Sequence, residues 1–351
     1  MPVPAQNQQY ENFIIRYKQN TQGGFDYESD ETFQIVNDLF GILYVPMKEV
    51  PELELSSYSY SSIPRCYTYM DTGVLSASGV TRLHNHPYLK LQGKGTLVAV
   101  IDSGIDYLHP AFHNGAQSKI LSIWDQTLEG GADGRIPFGR EFSRQQIEQA
   151  LASENPWEIV PSSDTNGHGT RSAATAAGYR IEKENFCGAA PEAELVIVKL
   201  KQAKNYLRDF YLLPRDTDIF QEDDIMLAIS YVLRIAQEQQ MPLSICIGLG
   251  TSMGAHQGEG PLNEYINSIA AFTQNAVSVP AGNEGTARHH YLREFGQNDT
   301  EDTVELRVGD RESNRGFMTE FWGDSPGSYY MTIQSPTGEK LSVSTSLKNR
   351  T

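Results

Sequence analysis

Three different patterns of apolar and polar residues follow one another along the chain, and each predicts its own elements. The first reads as a small α+β unit: an alternating segment over residues 13–17, a helix-like stretch after Asp30 with Phe33, Val36 and Phe40 on one face, then an apolar run over residues 42–45. A linker rich in Ser and Tyr, residues 56–62, leads into Ile63-Pro64-Arg65-Cys66-Tyr67-Thr68-Tyr69-Met70. From Gly93 onward strand and helix patterns alternate, the order expected of a mainly parallel sheet covered by helices. Residues 97–101 and 195–200 are short unbroken apolar runs, as strands buried on both faces should be. A helix is predicted over residues 225–239 and further strands over 243–247 and 276–279, and in such sheets the chemistry gathers where strands end.

After about Gly296 period-two alternation returns, at Val304, Leu306 and Val308, over residues 317–322 and 330–333, and at Leu341 and Val343. Turn signals such as Asp324-Ser325-Pro326-Gly327 and Ser335-Pro336-Thr337-Gly338 divide these segments. They predict the start of an antiparallel β unit, with no helices after it to complete the α/β sheet. The expected class is therefore α/β, divided into an α+β unit at 1–70, the main domain at 71–296 and the beginning of a β insertion at 297–351.

Composition narrows the function. A chain of 351 residues with 39% hydrophobic and 21% charged residues can bury a sizeable core. Its formal net charge of −16 repels nucleic acid. Cys66, Cys187 and Cys246 are odd in number and widely spaced, so neither a disulfide framework nor a zinc site is indicated. His84-Asn85-His86 and His289-His290 read as solvated loop histidines, and the expectation is no metal and no cofactor. The N-terminal MPVPAQNQQYENF lacks a basic start followed by an apolar run, and no stretch of about eighteen apolar residues occurs. The expectation is thus no membrane span and a protein that stays in the cell that makes it, or leaves by a route this sequence does not display.

Three motifs carry chemistry. Asp102 closes the apolar strand in Val100-Ile101-Asp102-Ser103-Gly104-Ile105-Asp106, where a buried carboxylate must find a partner such as an imidazole. His168 lies in Asp164-Thr165-Asn166-Gly167-His168-Gly169-Thr170, followed by the small residues Ser172-Ala173-Ala174-Thr175-Ala176-Ala177-Gly178, which suit a helix packed tightly on a sheet. Asn283 follows a strand in Val279-Pro280-Ala281-Gly282-Asn283-Glu284-Gly285, where its amide could donate to a developing oxyanion. Singly, each motif is as often a turn or a packing device as a catalytic one.

In combination these residues resemble the subtilisin-like serine proteases (subtilases, peptidase S8), whose triad runs Asp, His, Ser along the chain. Ile123-Trp124-Asp125-Gln126-Thr127, Phe138-Gly139-Arg140-Glu141-Phe142 with residues 147–151, and Gly250-Thr251-Ser252-Met253-Gly254-Ala255-His256-Gln257-Gly258 are similar to the clostridial spore-germination branch of that family. The resemblance implies that Asp102 orients the imidazole, His168 is general base and then acid, and Asn283 donates to the oxyanion. Leu249, Gly250 and Thr251 would border the substrate and pair with an extended peptide.

Ser252, in a tempting Gly250-Thr251-Ser252-Met253, is set aside as nucleophile because it precedes Asn283 and runs into Gly254 and Gly258 instead of a proline and an Ala-rich helix. The serine segment of this branch follows a jelly-roll-like insertion, so the chain is expected to end before its nucleophile and to be inactive alone. Residues 1–70 correspond to a prodomain with Tyr67-Thr68-Tyr69-Met70 in the cleft and processing at Met70–Asp71. His109-Pro110-Ala111-Phe112 lacks the acidic ligand of a calcium site common in secreted members, and Arg171 replaces a second histidine after the Gly-His-Gly-Thr motif. The expected partners are a protein or peptide substrate, such as a spore-cortex hydrolase precursor, and the chain's own prodomain. The expected setting is cytoplasmic or spore-associated. The alternative is a non-catalytic regulatory or binding protein that keeps the subtilase shape.

Overall fold

The computed structural model describes residues 3–17, 32–50, 53, 57–69, 80–84, 88, 91–130, 136–308, 316–323 and 327–344. Strands β1 (Tyr10–Arg16), β2 (Phe33–Ile35) and β3 (Phe40–Pro46) form an antiparallel sheet in the order β1-β3-β2. A short strand β4 (Cys66–Tyr69) and helix α1 (Val80–His84) lead into the main domain.

That domain runs β5 (Leu97–Asp102), a small hairpin β6 (His113–Asn114) and β7 (Gln117–Ser118), β8 (Ile120–Asp125), β9 (Arg140–Ser143), α2 (Arg144–Leu151), α3 (Pro156–Ile159), α4 (His168–Ala177), β10 (Glu194–Lys199), α5 (Asn205–Phe210), β11 (Phe220–Gln221), α6 (Glu222–Gln239), β12 (Leu243–Ile247), β13 (Leu249–Gly250), α7 (Pro261–Ala270) and β14 (Asn275–Ser278). Beyond it come β15 (Tyr330–Gln334) and β16 (Lys340–Ser344), an antiparallel pair.

Six strands make the central sheet in the order β14-β12-β5-β10-β8-β9, parallel throughout except that β9 runs against β8. Every residue of β5 is buried, because helices cover both faces of this central strand. On one face α6 packs with Leu97, Ala99 and Ile101; on the other the small residues of α4, Ala173 and Ala177, share a core with Val98, Val100 and Ile197. Three acidic residues, Glu222, Asp223 and Asp224, open α6, where the helix dipole favours negative charge.

The N-terminal sheet shares the α6 core through Ile14, Val36, Phe40, Ile42 and Tyr44. Its seam with the main domain is also polar. Lys204 Nζ, fully buried, donates to Pro4 O at 2.8 Å, Tyr10 O at 3.0 Å and Asn12 Oδ1 at 2.7 Å. Asn12 Nδ2 in turn donates to Asp223, and Lys201 pairs with Asp224. Burial, with the charge of Lys201 beside it, pulls the Lys204 ammonium down to about 7.

Two expectations need correction. The stretch with Phe33, Val36 and Phe40 is not helical: Phe33–Ile35 and Phe40–Pro46 are paired strands. Asn37 Oδ1 accepts from the backbone N–H of both Leu39 and Phe40 at 2.8 Å, turning the chain between them. The Phe33 ring lies against Gly41, where a Cβ would fall 2.2 Å from Cζ. The described part of the N-terminal unit is thus strands and 3₁₀ turns, with no α-helix among those residues. The segments at Val304, Leu306 and Val308 and at residues 317–322 are exposed and form no strands, since alternation becomes a strand only where a ladder partner exists. The last two predicted segments do pair, as β15 and β16.

Candidate active site

Asp102 is the last residue of β5 and is completely buried; His168 is the first of α4 and nearly so. The strand end and the helix start meet with His168 Nδ1 2.7 Å from Asp102 Oδ1, the separation of a hydrogen bond in which the ring N–H donates. Ser103 N donates to the same oxygen at 2.7 Å. Asp102 Oδ2 is buried and has no hydrogen-bond partner among the described residues. An acceptor left short of donors out of water attracts any positive charge that develops beside it, and the ring of His168 is the group in place to receive one.

A second carboxylate, to which the sequence reading gave no role, fixes the approach to the pair. Asp164 accepts from Ser103 Oγ at 2.8 Å, Gly167 N at 2.9 Å, Thr170 N at 2.8 Å and Thr170 Oγ1 at 2.6 Å. Burial works against its charge, but these bonds outweigh that effect and hold its carboxyl below the usual value. Ser103 Oγ also accepts from Gly169 N at 2.9 Å, so the residue after Asp102 is tied to the residue after His168. Gly167 caps α4 with φ +80°, the left-handed turn that lets the chain enter the helix at His168.

Gly248, also missed, packs on the pair from just past β12: a Cβ there would lie 2.2 Å from Asp102 Oδ2 and 3.1 Å from His168 Cε1. Its only sequence signal is a glycine at the end of an apolar strand; that of Asp164 is its place four residues before His168.

One residue beyond Gly248 the chain changes sheets. Leu249 and Gly250 form β13, which pairs antiparallel with β4, Leu249 opposite Tyr69 and Gly250 opposite Thr68. On its other side β4 pairs with β11, Phe220 opposite Tyr67 and Gln221 opposite Cys66. Residues 66–69 therefore lie between β11 and β13, and β13 begins one residue after Gly248, which packs on the Asp102–His168 pair. Leu249 is buried, and Thr251 Oγ1 accepts from Met253 N at 3.2 Å.

Asn283 lies on an exposed stretch past β14, at the same end of the sheet as Asp102 and two strands away from β5. Met70 and Asp71 lie outside the described residues. Ser252 is exposed in the bend after β13.

The remaining candidates are local. Asp106 Oδ1 accepts from Leu108 N at 3.1 Å and Arg171 Nε donates to Gly167 O at 3.3 Å. His84 Nε2 lies 2.7 Å from Ala189 O, His289 pairs with Glu284, and the rings of His256 and His290 approach one another. Among the described residues no group of three or more His, Cys, Asp or Glu could hold a metal. Cys66, Cys187 and Cys246 carry free thiols, and burial pushes that of Cys66 up to about 12. No helix of the described residues is long and apolar enough to cross a membrane.

Comparison with known proteins gives the same reading. Residues 93–211 match the model of the subtilase family, Peptidase_S8. An intracellular serine protease of Paenibacillus polymyxa is 30% identical over 197 residues, which cover 55% of this chain and 43% of that protein. The subtilisin-like protease SBT1.4 of Arabidopsis thaliana is 29% identical over 125 residues, 31% of this chain and 16% of that one. Among solved structures, that of the Clostridium perfringens CspB protease superposes with a TM-score of 0.51 at 28% identity, covering 61% of this chain and 41% of the other. Residues 93–211 are thus similar to the subtilase family, and the fold of this chain is subtilisin-like α/β. The chain spans about two fifths of the length of the Paenibacillus and Clostridium proteins.

Proposed function

We propose that this chain is part of a serine endopeptidase that processes a protein substrate inside the cell or in the spore. The observation that carries the reading is the 2.7 Å contact between His168 Nδ1 and Asp102 Oδ1 beside a strand-pairing groove. In this mechanism Asp102 holds the ring by Nδ1, leaving Nε2 to take the proton of a serine hydroxyl as that oxygen attacks the peptide carbonyl. Asp102 then stabilises the imidazolium, which returns its proton to the leaving amine. The Asn283 amide supplies a donor to the oxyanion, a contribution worth about 10²–10³ in kcat. Leu249, Gly250 and Thr251 align the substrate as an added strand.

Residues 1–70 act as a prodomain: β4 occupies the groove as a product would, and cleavage falls between Met70 and Asp71. Residues 71–296 carry Asp102, His168 and Asn283, and 297–351 begin an insertion. Ser252, exposed past β13 and preceding Asn283, is not the serine this mechanism uses; in subtilisin, loss of the serine costs roughly six orders of magnitude in kcat.

The test is a fluorophosphonate probe on a longer gene product. Labelling that a His168→Ala change abolishes supports the endopeptidase. A folded protein that takes no label would instead be a regulatory subtilase-like binder. A mature chain beginning outside residues 71–76 would reject the processing site.

A further inference from the structure

The wall of the groove contains a cavity cut to one side chain. Glu222, the first residue of α6, is almost wholly buried, and so is its partner Arg65, the residue before β4; their side chains are 1% and 6% exposed. The guanidinium meets the carboxylate as a fork, Nε donating to Oε2 at 3.2 Å and Nη2 to Oε1 at 2.6 Å. The backbone joins in: Glu222 N donates to Arg65 O at 2.8 Å, and Arg65 N to Glu222 Oε2 at 3.1 Å. This continues the β4–β11 ladder by one step, so the strand register alone sets residue 65 over Glu222.

Two glycines complete the fit. A Cβ on Gly254 would stand 2.5 Å from Arg65 Nη1, and one on Gly260 would stand 2.6 Å from Nη2. Their φ angles of +98° and +117° are strained for residues other than glycine. Leu262 N, in the first turn of α7, donates to Glu222 Oε1 at 3.3 Å. The acid, the walls and the backbone donor all come from the main domain, and only the guanidinium comes from the segment in the groove.

We propose that this cavity is an arginine-reading subsite: an extended peptide bound in place of β4 is selected for arginine at the position over Glu222, four residues before the one opposite Leu249. The inference rests on the reading above that β4 lies where substrate lies. Physical chemistry makes the selection strict. A peptide with alanine there leaves a carboxylate with no counter-charge in a closed space. Lysine brings charge but cannot span both oxygens from one ammonium. The N-terminal segment meets this requirement with its own Arg65, and a protein substrate must meet it too.

The experiment uses the full chain carrying Arg65→Ala, with Arg65→Lys as a second background, each checked for folding by circular dichroism and thermal melting. A fluorescein-labelled peptide of residues 63–69, and versions with its arginine replaced by alanine or lysine, are titrated by anisotropy under reducing conditions. The expected result is at least tenfold tighter capture of the arginine peptide, with the preference abolished by a further Glu222→Gln change. Equal capture of all three peptides overturns arginine selection and leaves the groove assignment standing. Capture of none by either folded variant overturns the groove assignment, and the subsite with it.

Discussion

The Asp102–His168 pair and the Lys204 seam both take polar side chains out of water, yet the chain builds them by opposite means. The pair is assembled from two short motifs whose neighbours do the bracing: Ser103 beside Asp102, and Asp164, Gly167 and Thr170 around His168. The seam joins Pro4, Tyr10 and Asn12 to Lys204 across some 190 to 200 residues of sequence. A brace made by neighbours survives the loss of one bond, because the local backbone still holds the rest in place. The seam has no such local bracing: its bonds, from Lys204 to three acceptors and from Asn12 to Asp223, all join residues far apart in the sequence.

Lys204→Met is the strongest way to break that contrast. It strands buried Asn12 and two half-buried carbonyls, and the expected loss is about 3–5 kcal/mol, read from urea unfolding, with amide exchange rising first in β1. Gly248→Ala comes next. Its methyl meets Asp102 Oδ2, so about 1–3 kcal/mol should be lost together with the downfield NMR signal of the proton between Asp102 and His168. Survival of that signal would show that the pair has slack the geometry denies.

Asp164→Asn should cost about 1 kcal/mol at neutral pH, since the amide keeps one acceptor and loses the charge-assisted bonds. Because the folded carboxyl lies below its unfolded value of 3.8, its contribution is fully present above that value and disappears as pH falls through the lowered one. The wild-type advantage in melting temperature should therefore persist at pH 7 and vanish in strong acid. Arg171→Ala, exposed and with its side chain bonded among the described residues to Gly167 O, should change stability by no more than about 0.5 kcal/mol.

The same contrast explains what could be read from the letters. Strand 243–247 falls where its apolar run predicts, and Asp102 and His168 announce themselves because their motifs are contiguous. Lys204 was invisible, since nothing in its neighbours says that residues 4, 10 and 12 will surround it. Phe33, Val36 and Phe40 misled for a related reason: a spacing of three and four residues suits a helix face, but the Asn37 turn makes it a hairpin. At Val304, Leu306 and Val308 the alternation is present, and among the described residues no ladder partner is.

Gly248 stands between two sheets in the run Ile247-Gly248-Leu249, the last residue of β12 on one side and the first of β13 on the other. The edge that pairs with β4 is therefore one peptide unit from the glycine on which the imidazole rests. No further residue intervenes, so the register of β4 on β13 and the seat of the His168 ring are gauged from a single fixed datum in the chain.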